Sequence, residues 1–297
     1  MTTTRRGTLY GAGAYLLWGL FPLYWPLLAP SSALEVLAHR VIWSVVVVAV
    51  LLGATRRLEQ VRAALRDRRR LAQIALAAVV IAVNWGTYIF GVTSGRVVET
   101  SLGYFINPIV TVLLGVLVLG ERLRPAQWTA LGAAFVAVVV LTVENGSPPW
   151  IALVLAFSFG TYGLLKKTAG VGAVEGLAIE TGVLLPVAAA YVLVIGGGTF
   201  GQQGTGHALL LALSGVVTAV PLLLFGAAAS RIPLSTLGVL QYLAPTMQFL
   251  LGIMLFHEPL PLGKLVGFVL VWFGVVLFTV DLVRHSRQAR LAVLTPA

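Results

Sequence analysis

The chain consists of apolar stretches, each about as long as a bilayer is thick, that are separated by short polar connections. The ten stretches run over residues 7–28, 35–53, 71–92, 97–119, 126–143, 149–165, 174–195, 208–230, 234–256 and 262–283. A helix needs about 20 apolar residues to cross the hydrocarbon core. Only 10% of the residues are charged, whereas soluble domains have about 25%. The sequence therefore predicts an all-α membrane protein with ten transmembrane helices.

The basic residues are concentrated on one side of the predicted membrane. With the N-terminus placed in the cytoplasm, 17 of the 20 Lys and Arg residues fall in cytoplasmic segments. Arg96 and Lys264 fall on the outer side, and Arg40 lies inside a span. Because positively charged loops resist translocation, we expect both termini to be cytoplasmic. The net charge of +10 then reflects membrane topology, and we expect no nucleic-acid partner.

The two halves of the chain resemble each other when the sequence is shifted by 137 to 140 residues. The matched pairs include Pro108 with Pro245, Glu121 with Glu258, and Glu35 with Glu175. Each half contains five spans, an odd number, so the second half enters the membrane from the opposite side. We therefore predict two inverted five-helix repeats at residues 1–146 and 147–286, followed by a cytoplasmic tail at 287–297.

Ionisable side chains occur inside two of the predicted spans. Each costs about 2.5–3.5 kcal/mol in hydrocarbon, so it is expected to face a cavity or a partner. We expect Arg40 to pair with Glu35 or Glu99, which share its half of the membrane, and not with Glu180. Glu180 is expected to face the inner half of a cavity. A structural ion pair and a role with solute or protons remain open for Arg40 and Glu180.

His39 shares the span of Arg40. Its structural interpretation is favoured, although His39, like Glu180, is also a candidate proton carrier.

Two prolines are predicted near the middle of their spans, where each removes a helix hydrogen bond and frees a carbonyl group. Polar and aromatic residues near these helix-break positions, Pro108 and Pro245, are expected to line a central solute-binding cavity. With the two ionisable residues included, the candidates are Arg40, Asn84, Tyr88, Tyr104, Asn107, Tyr162, Glu180, Gln241 and Tyr242. The alternative for any one of them is a hydrogen bond between neighbouring helices, worth about 0.6 kcal/mol on average.

None of the candidate catalytic motifs in the sequence occurs in the context that its chemistry needs. Gly196, Gly198 and Gly201 match the spacing of dinucleotide-binding glycines, but they lie between two spans, so we interpret them as part of a flexible outer loop. The sequence has no cysteine and no Walker A motif. We therefore expect no enzymatic activity, no cofactor and no metal.

Four motifs resemble a known family. They are Leu17–Trp25 (LWGLFPLYW), Glu35–Arg40 (EVLAHR), Ser101–Pro108 (SLGYFINP) and Leu240–Thr246 (LQYLAPT). In combination they are similar to RarD-type proteins of the EamA family, in the drug/metabolite transporter superfamily. The resemblance covers nearly the whole chain. It implies a multi-pass protein of the bacterial inner membrane, with ten helices in two inverted repeats, that moves small metabolites or drugs.

These observations favour a secondary transporter that works by alternating access, with a small-molecule solute and lipid as partners and protons as candidate coupling ions. The alternative is a non-transporting membrane protein, such as a lipid scramblase or an assembly factor. A channel is disfavoured because the sequence shows no ring of like charges. Small residues four apart, such as Gly263 and Gly267, are compatible with a homodimer but equally with packing inside one chain.

Overall fold

The computed structural model describes residues 3–119, 123–229, 231, 232, 236 and 240–294, and every regular element in these ranges is helical. The helices are α1 Thr3–Gly19, α2 Phe21–Tyr24, α3 Ala33–Thr55, α4 Leu58–Arg66, α5 Arg68–Thr93, α6 Val97–Leu119, α7 Pro125–Asn145, α8 Trp150–Ala169, α9 Ala173–Val194, α10 Gly204–Ala229, α11 Leu243–Met254 and α12 Leu262–Leu294. Glu121 of the repeat comparison and Arg122 of the charge count lie outside the described residues.

Seven of the described helices are long and apolar enough to cross a membrane, namely α3, α5, α6, α7, α9, α10 and α12. Two further apolar stretches, in α8 and α11, are shorter than 18 residues. Large apolar side chains lie on the outside of the bundle, and Phe135, Val143 and Leu193 are 69–79% exposed. An apolar surface of this kind is stable in lipid and not in water. The prediction of a multi-pass helical membrane protein is therefore confirmed, while the count of ten spans stays a prediction.

The first predicted span, at residues 7–28, is not one continuous helix. α1 ends at Gly19, α2 follows, and a 3-10 turn completes the stretch at Trp25–Leu28. Pro22 and Pro26 are the second residues of these two short elements. A proline is tolerated at the start of a helix but removes a bond from its interior. The two prolines thus explain why the helix stops and restarts.

The two repeat-matched prolines differ in position. Pro108 lies inside α6, as predicted. Pro245 is the third residue of α11, because the chain turns at Gln241–Tyr242 and the helix restarts at Leu243. A proline in the first turn removes no intrahelical hydrogen bond. Pro108 therefore lies within a helix and Pro245 in the first turn of one, while their helix-break roles stay predictions.

The glycine-rich loop before α10 is folded against α3, which corrects its interpretation as a flexible loop. Gly196, Gly197 and Gly198 have φ values of 65°, 85° and 60°, a region that glycine enters without steric cost. The loop thereby reverses direction and brings Thr199 to Glu35, whose carboxylate accepts hydrogen bonds from the Thr199 amide (2.6 Å) and hydroxyl (2.7 Å).

The same loop covers His39. The Phe200 ring stacks on the His39 ring, with 5.0 Å between centroids. This aromatic contact supports the structural interpretation of His39.

The helices pack into one bundle in which α7 contacts α12, α3 contacts α9, and α6 contacts α11. α8 lies against α5 and α6, whereas α1 lies against α10 and α11. An aromatic core cluster joins α6, α11 and α12 through Phe105, Phe249 and Phe268. A second cluster joins α2, α3, α5 and α8. A cavity is lined by residues from α1 to α11, among them Phe21 and Tyr88 of the second cluster.

Glycines allow the closest helix contacts. A Cβ atom on Gly215 of α10 would meet the backbone of Trp43 and Ser44 in α3. Gly263 and Gly267 of α12 likewise face side chains of α7. Packing within the chain therefore accounts for this glycine pair without a second subunit.

Candidate functional site

The bundle contains a cavity of about 410 Å³ that brings together most of the predicted site residues. The predicted residues in its lining are Arg40, Asn84, Tyr88, Tyr104, Asn107, Tyr162, Gln241 and Pro245. They come from α3, α5, α6, α8, α11 and the turn before α11, so no local segment alone forms the site. Their assembly agrees with the expectation that polar residues in apolar spans face a cavity, while solute binding by them stays a prediction.

Three predicted residues lie outside this lining. Tyr242 stacks on Phe105, with ring centroids 6.4 Å apart, next to the aromatic core cluster. Pro108 lies in α6, one residue after the lining residue Asn107. Glu180 does not line the cavity itself but accepts hydrogen bonds from two residues that do, Tyr162 and Lys166.

The pairing expected for Arg40 is wrong. Glu35 binds Thr199, and Glu99 accepts a hydrogen bond from the Ile151 amide (3.1 Å) at the start of α8. Among the described residues, Arg40 has no carboxylate partner, and its Nε is buried without a hydrogen-bond partner. Depth along a helix predicts these carboxylates as partners of Arg40, but both accept hydrogen bonds from backbone amides instead.

Aromatic rings surround the Arg40 guanidinium instead. Its central carbon lies 4.0 Å from the ring centroid of Trp85, 5.2 Å from that of Trp25 and 5.8 Å from that of Phe21. Arg40 is 3% exposed. A guanidinium over aromatic faces gains cation–π attraction, which is stronger when water is excluded. The rings stabilise the charge without neutralising it.

Glu180 forms an ion pair with Lys166. Its carboxylate lies 2.8 Å from Lys166 Nζ and accepts a hydrogen bond from the Tyr162 hydroxyl at 3.1 Å. The Glu180 side chain is 1% exposed, against 20% for that of Lys166. The predicted absence of an Arg40–Glu180 pair is therefore correct, and the carboxylate has a partner that the sequence prediction did not include.

The side-chain amides of the lining differ in whether their oxygen atoms have hydrogen-bond partners. Asn84 donates to the Leu155 carbonyl (3.1 Å) and the Ser158 hydroxyl (2.9 Å), and accepts from the Tyr104 hydroxyl (3.3 Å). Asn84 thus forms hydrogen bonds between neighbouring helices, which is the alternative to solute binding. In contrast, Asn107 Oδ1 and Gln248 Oε1 are buried without a partner among the described residues. A buried polar atom normally has a partner, so these two are available to a bound molecule.

Several lining residues were not among those predicted from the sequence, and Trp85 and Lys166 are two of them. Each has a local signal, because Trp85 is adjacent to Asn84 and Lys166 follows Tyr162 by four residues. Residues three or four apart share a helix face, so helical spacing from Tyr162 indicates Lys166.

Hydrogen bonds close the end of the bundle where α3, α6 and α8 begin. Besides Glu35 and Glu99, Glu258 accepts from the amides of Val97 (2.5 Å) and Val98 (3.0 Å) in the first turn of α6. Carboxylates are favourable at helix N-termini because free amide groups point toward them. Burial raises the pKa of Glu258 above its ordinary value. Lys166, near the opposite end of α8, lines the cavity.

Comparisons with known proteins agree with the motif resemblance. The EamA-like transporter family model matches the chain twice, over residues 5–143 and 148–280. The chain is 57% identical to "Protein RarD" of Streptomyces exfoliatus over 96% of this chain and 92% of that protein. It is 42% identical to "Uncharacterized transporter YojE" of Bacillus subtilis (97% and 98% covered). It is also 42% identical to "Protein RarD" of Escherichia coli (96% and 97% covered).

A solved structure described only as "Crystal structure of protein" shares the fold. Its TM-score is 0.61 at 20% sequence identity, and the match covers 94% of this chain and 98% of the other. Together with the two matches to the family model, these similarities identify a membrane transporter of the drug/metabolite superfamily. The chain belongs to the EamA-like transporter family, within which it is a RarD-type protein.

Proposed function

We propose that the protein is a secondary carrier that moves a small metabolite or drug-like solute across the bacterial inner membrane by alternating access. The observation that carries this proposal is the 410 Å³ cavity, lined by polar and aromatic side chains from both halves of the chain. Carboxylate-to-amide hydrogen bonds join elements at one end of the bundle, and the cavity extends to Lys166 near the other end. This difference between the two ends supports the carrier proposal.

The proposed architecture is ten spans in two inverted repeats, at 1–146 and 147–286, with the tail at 287–297. Two matches to one family model, at 5–143 and 148–280, support these units. In this scheme α1 and α2 together form the first span and the remaining spans are α3 and α5 to α12. The basic-residue distribution supports cytoplasmic termini.

Helix contacts support the relation between the halves. If α1, α3, α5, α6 and α7 are equivalent to α8, α9, α10, α11 and α12, then the contact of α5 with α8 corresponds to that of α10 with α1. Likewise, the contact of α6 with α8 corresponds to that of α11 with α1, and both pairs are present. An approximate two-fold relation requires such matched contacts, and rocking of one half against the other then opens either face.

The proposed solute contacts are Arg40, Asn84, Tyr88, Tyr104, Asn107, Tyr162 and Gln241. Glu180 is proposed to act through Lys166 and Tyr162, and Tyr242 through its packing beside Gln241. Of the two candidate proton carriers, Glu180 fits better, because protonation would break its ion pair with Lys166 next to the cavity. pH-dependent uptake that is lost in Glu180→Gln supports this assignment, and the same pH dependence in that variant eliminates it.

Uptake into liposomes that contain the purified protein tests the carrier proposal. The solute is chosen by comparing metabolites of deletion and overexpressing cells. We expect saturable uptake, reduced at least about fivefold in Asn107→Ala and Gln241→Ala, because each removes a polar group from the lining. Gln60→Ala, at an exposed position of α4, is the matched control. Unchanged uptake in both lining variants contradicts the cavity assignment, and lipid flipping without solute uptake indicates a scramblase.

A further inference from the structure

The cavity has one positive charge that no carboxylate of the described residues balances. Its two lining residues that are cationic at neutral pH are Arg40 and Lys166. The charge of Lys166 is balanced by Glu180 at 2.8 Å. Arg40 has no carboxylate partner among the described residues, and the candidates predicted from the sequence, Glu35 and Glu99, are hydrogen bonded to backbone amides. A buried charge without a counter-ion is costly, so its retention in a binding cavity needs a reason.

The surroundings of Arg40 favour a planar anion as its partner. Rings of Trp85 and Trp25 lie over the guanidinium, which leaves its N–H edge for bonding. That edge is a fixed set of donors that matches a carboxylate in a two-bond geometry. The Nε group of Arg40 is buried without a hydrogen-bond partner among the described residues. Arg40 itself is 3% exposed and lines the cavity.

The remaining lining describes the rest of the molecule that would bind. Trp18, Phe21, Phe159 and Phe225 add aromatic surface, which suits a flat apolar body. The lining also contains two amide oxygens, Asn107 Oδ1 and Gln248 Oε1, that have no partner among the described residues. Each can accept a hydrogen bond from an N–H or O–H group. A solute with one acidic group, an aromatic body and a hydrogen-bond donor satisfies all these groups at once.

We infer that the cavity binds an organic monoanion, of which an aromatic carboxylate is the simplest case, with its anionic group on Arg40. This inference rests on the proposed carrier function and names its substrate class. A neutral solute leaves the Arg40 charge uncompensated. A cationic solute adds a second positive charge to a site that already has one, which is unfavourable in a medium of low dielectric constant.

Isothermal titration calorimetry at neutral pH tests the charge preference with three probes that share one body. The probes are indole-3-propionate (anion), indole-3-propionamide (neutral) and tryptamine (cation). We expect the wild-type protein in detergent to bind the anion at least about tenfold more tightly than the amide, and to bind tryptamine more weakly than both. Failure of the folded protein to bind the anion, or equal affinity for anion and amide, overturns the inference.

Variants of Arg40 assign the preference to this residue. Arg40→Gln should weaken anion binding at least about tenfold and leave amide binding unchanged. Arg40→Lys keeps the charge without the planar fork, so its anion preference should fall between those of Arg40→Gln and the wild type. Arg96→Gln makes the same change at an exposed loop position and should keep the full preference. If Arg40→Gln does not fold, Arg40→Lys decides, and an unaltered preference in either folded variant overturns the assignment.

The binding experiment separates this inference from the carrier proposal, because binding needs no translocation. Tight binding of the anion without saturable liposome uptake contradicts the carrier and leaves the anion site in place. Saturable uptake of neutral or cationic solutes, with no preference for the anion in calorimetry, contradicts the anion site and leaves the carrier in place.

Discussion

The carboxylate of Glu35, in the first turn of α3, lies 2.6 Å from the amide nitrogen of Thr199 in the loop between α9 and α10. Its repeat-matched residue, Glu175 in the first turn of α9, lies 3.1 Å from Arg57, which follows α3. Each carboxylate thus holds the connection that follows the other helix. Glu35 and Glu175 are buried, with 4% and 6% exposure. We propose that these contacts hold the two ends of the α3–α9 pair.

Removal of the Glu35 carboxylate should release the loop at residues 196–204. In Glu35→Ala, the Thr199 amide loses its acceptor, so we expect its hydrogen exchange to become at least about tenfold faster, which corresponds to about 1.4 kcal/mol of lost protection. Hydrogen–deuterium exchange with mass spectrometry of peptides covering this loop measures the change.

Glu59→Ala is the control for Glu35→Ala, because Glu59 is an exposed carboxylate of α4 and its removal should leave exchange in the loop unchanged. Equal loop exchange in Glu35→Ala and the wild type would show that the glycine backbone, and not the carboxylate, orders the segment.

Lys166 and Glu180 should depend on each other for stability. Removing one partner of a buried ion pair leaves an uncompensated charge and costs about 3–5 kcal/mol. The 20% exposure of the Lys166 side chain favours the lower end of this range. We therefore expect Lys166→Met and Glu180→Gln to lower the melting temperature individually, and the double variant to recover part of the loss.

A double-mutant cycle of thermal unfolding in detergent measures the coupling between Lys166 and Glu180. Arg57→Met is a comparison at a half-exposed ion pair and should cost less. Additive effects of the Lys166 and Glu180 substitutions would contradict a direct interaction.

Gly215 should not tolerate a side chain, because a Cβ atom there would lie 2.8 Å from the backbone nitrogen of Ser44. α3 and α10 would have to separate, which costs about 1–3 kcal/mol or more. We expect Gly215→Ala to lower the yield of monodisperse protein and its melting temperature. Gly182→Ala is the matched control, since nothing lies within 4 Å of its Cβ position and alanine favours a helix by about 1 kcal/mol. Equal melting temperatures for both variants would refute the close contact of α3 and α10.

Glu258 should make stability depend on pH. Burial raises its pKa in the folded protein, and hydrogen bonds from Val98 and Val97 oppose the shift incompletely. The folded protein thus binds this proton more tightly than the unfolded chain, whose Glu pKa is about 4.3. The stabilising contribution is present below the unfolded pKa and is lost as pH rises through the folded pKa.

Relative to Glu258→Gln, which cannot titrate, the wild-type melting temperature should therefore fall as the pH rises above the unfolded Glu pKa of about 4.3. Thermal unfolding in a pH series measures this difference. Glu59→Gln, at an exposed site, should show no such trend relative to the wild type, and a wild-type advantage that grows with pH would reverse the assigned direction.

Much of the candidate site was predictable because apolar spans contain few polar side chains. A polar group in hydrocarbon needs a partner or a cavity, so residue type and position alone predict Asn107, Tyr104 and Gln241 as lining residues. The structure places all three in the lining. Tyr242 was selected by the same reasoning, yet it packs beside the aromatic core, because sequence position does not give the direction in which a side chain points.

The sequence by itself determined the helical class, the apolar surface and the family, since these depend on composition, segment length and local motifs. Tertiary structure alone decided the partners of the charged residues. Arg40 lies over Trp85, Glu180 pairs with Lys166, and Glu35 binds an amide 164 residues away. Depth along a helix was available from residue counting, but helix rotation and the course of a glycine loop were not. These depend on how all the helices pack together, and among the described residues they leave Arg40 in the cavity without a carboxylate partner.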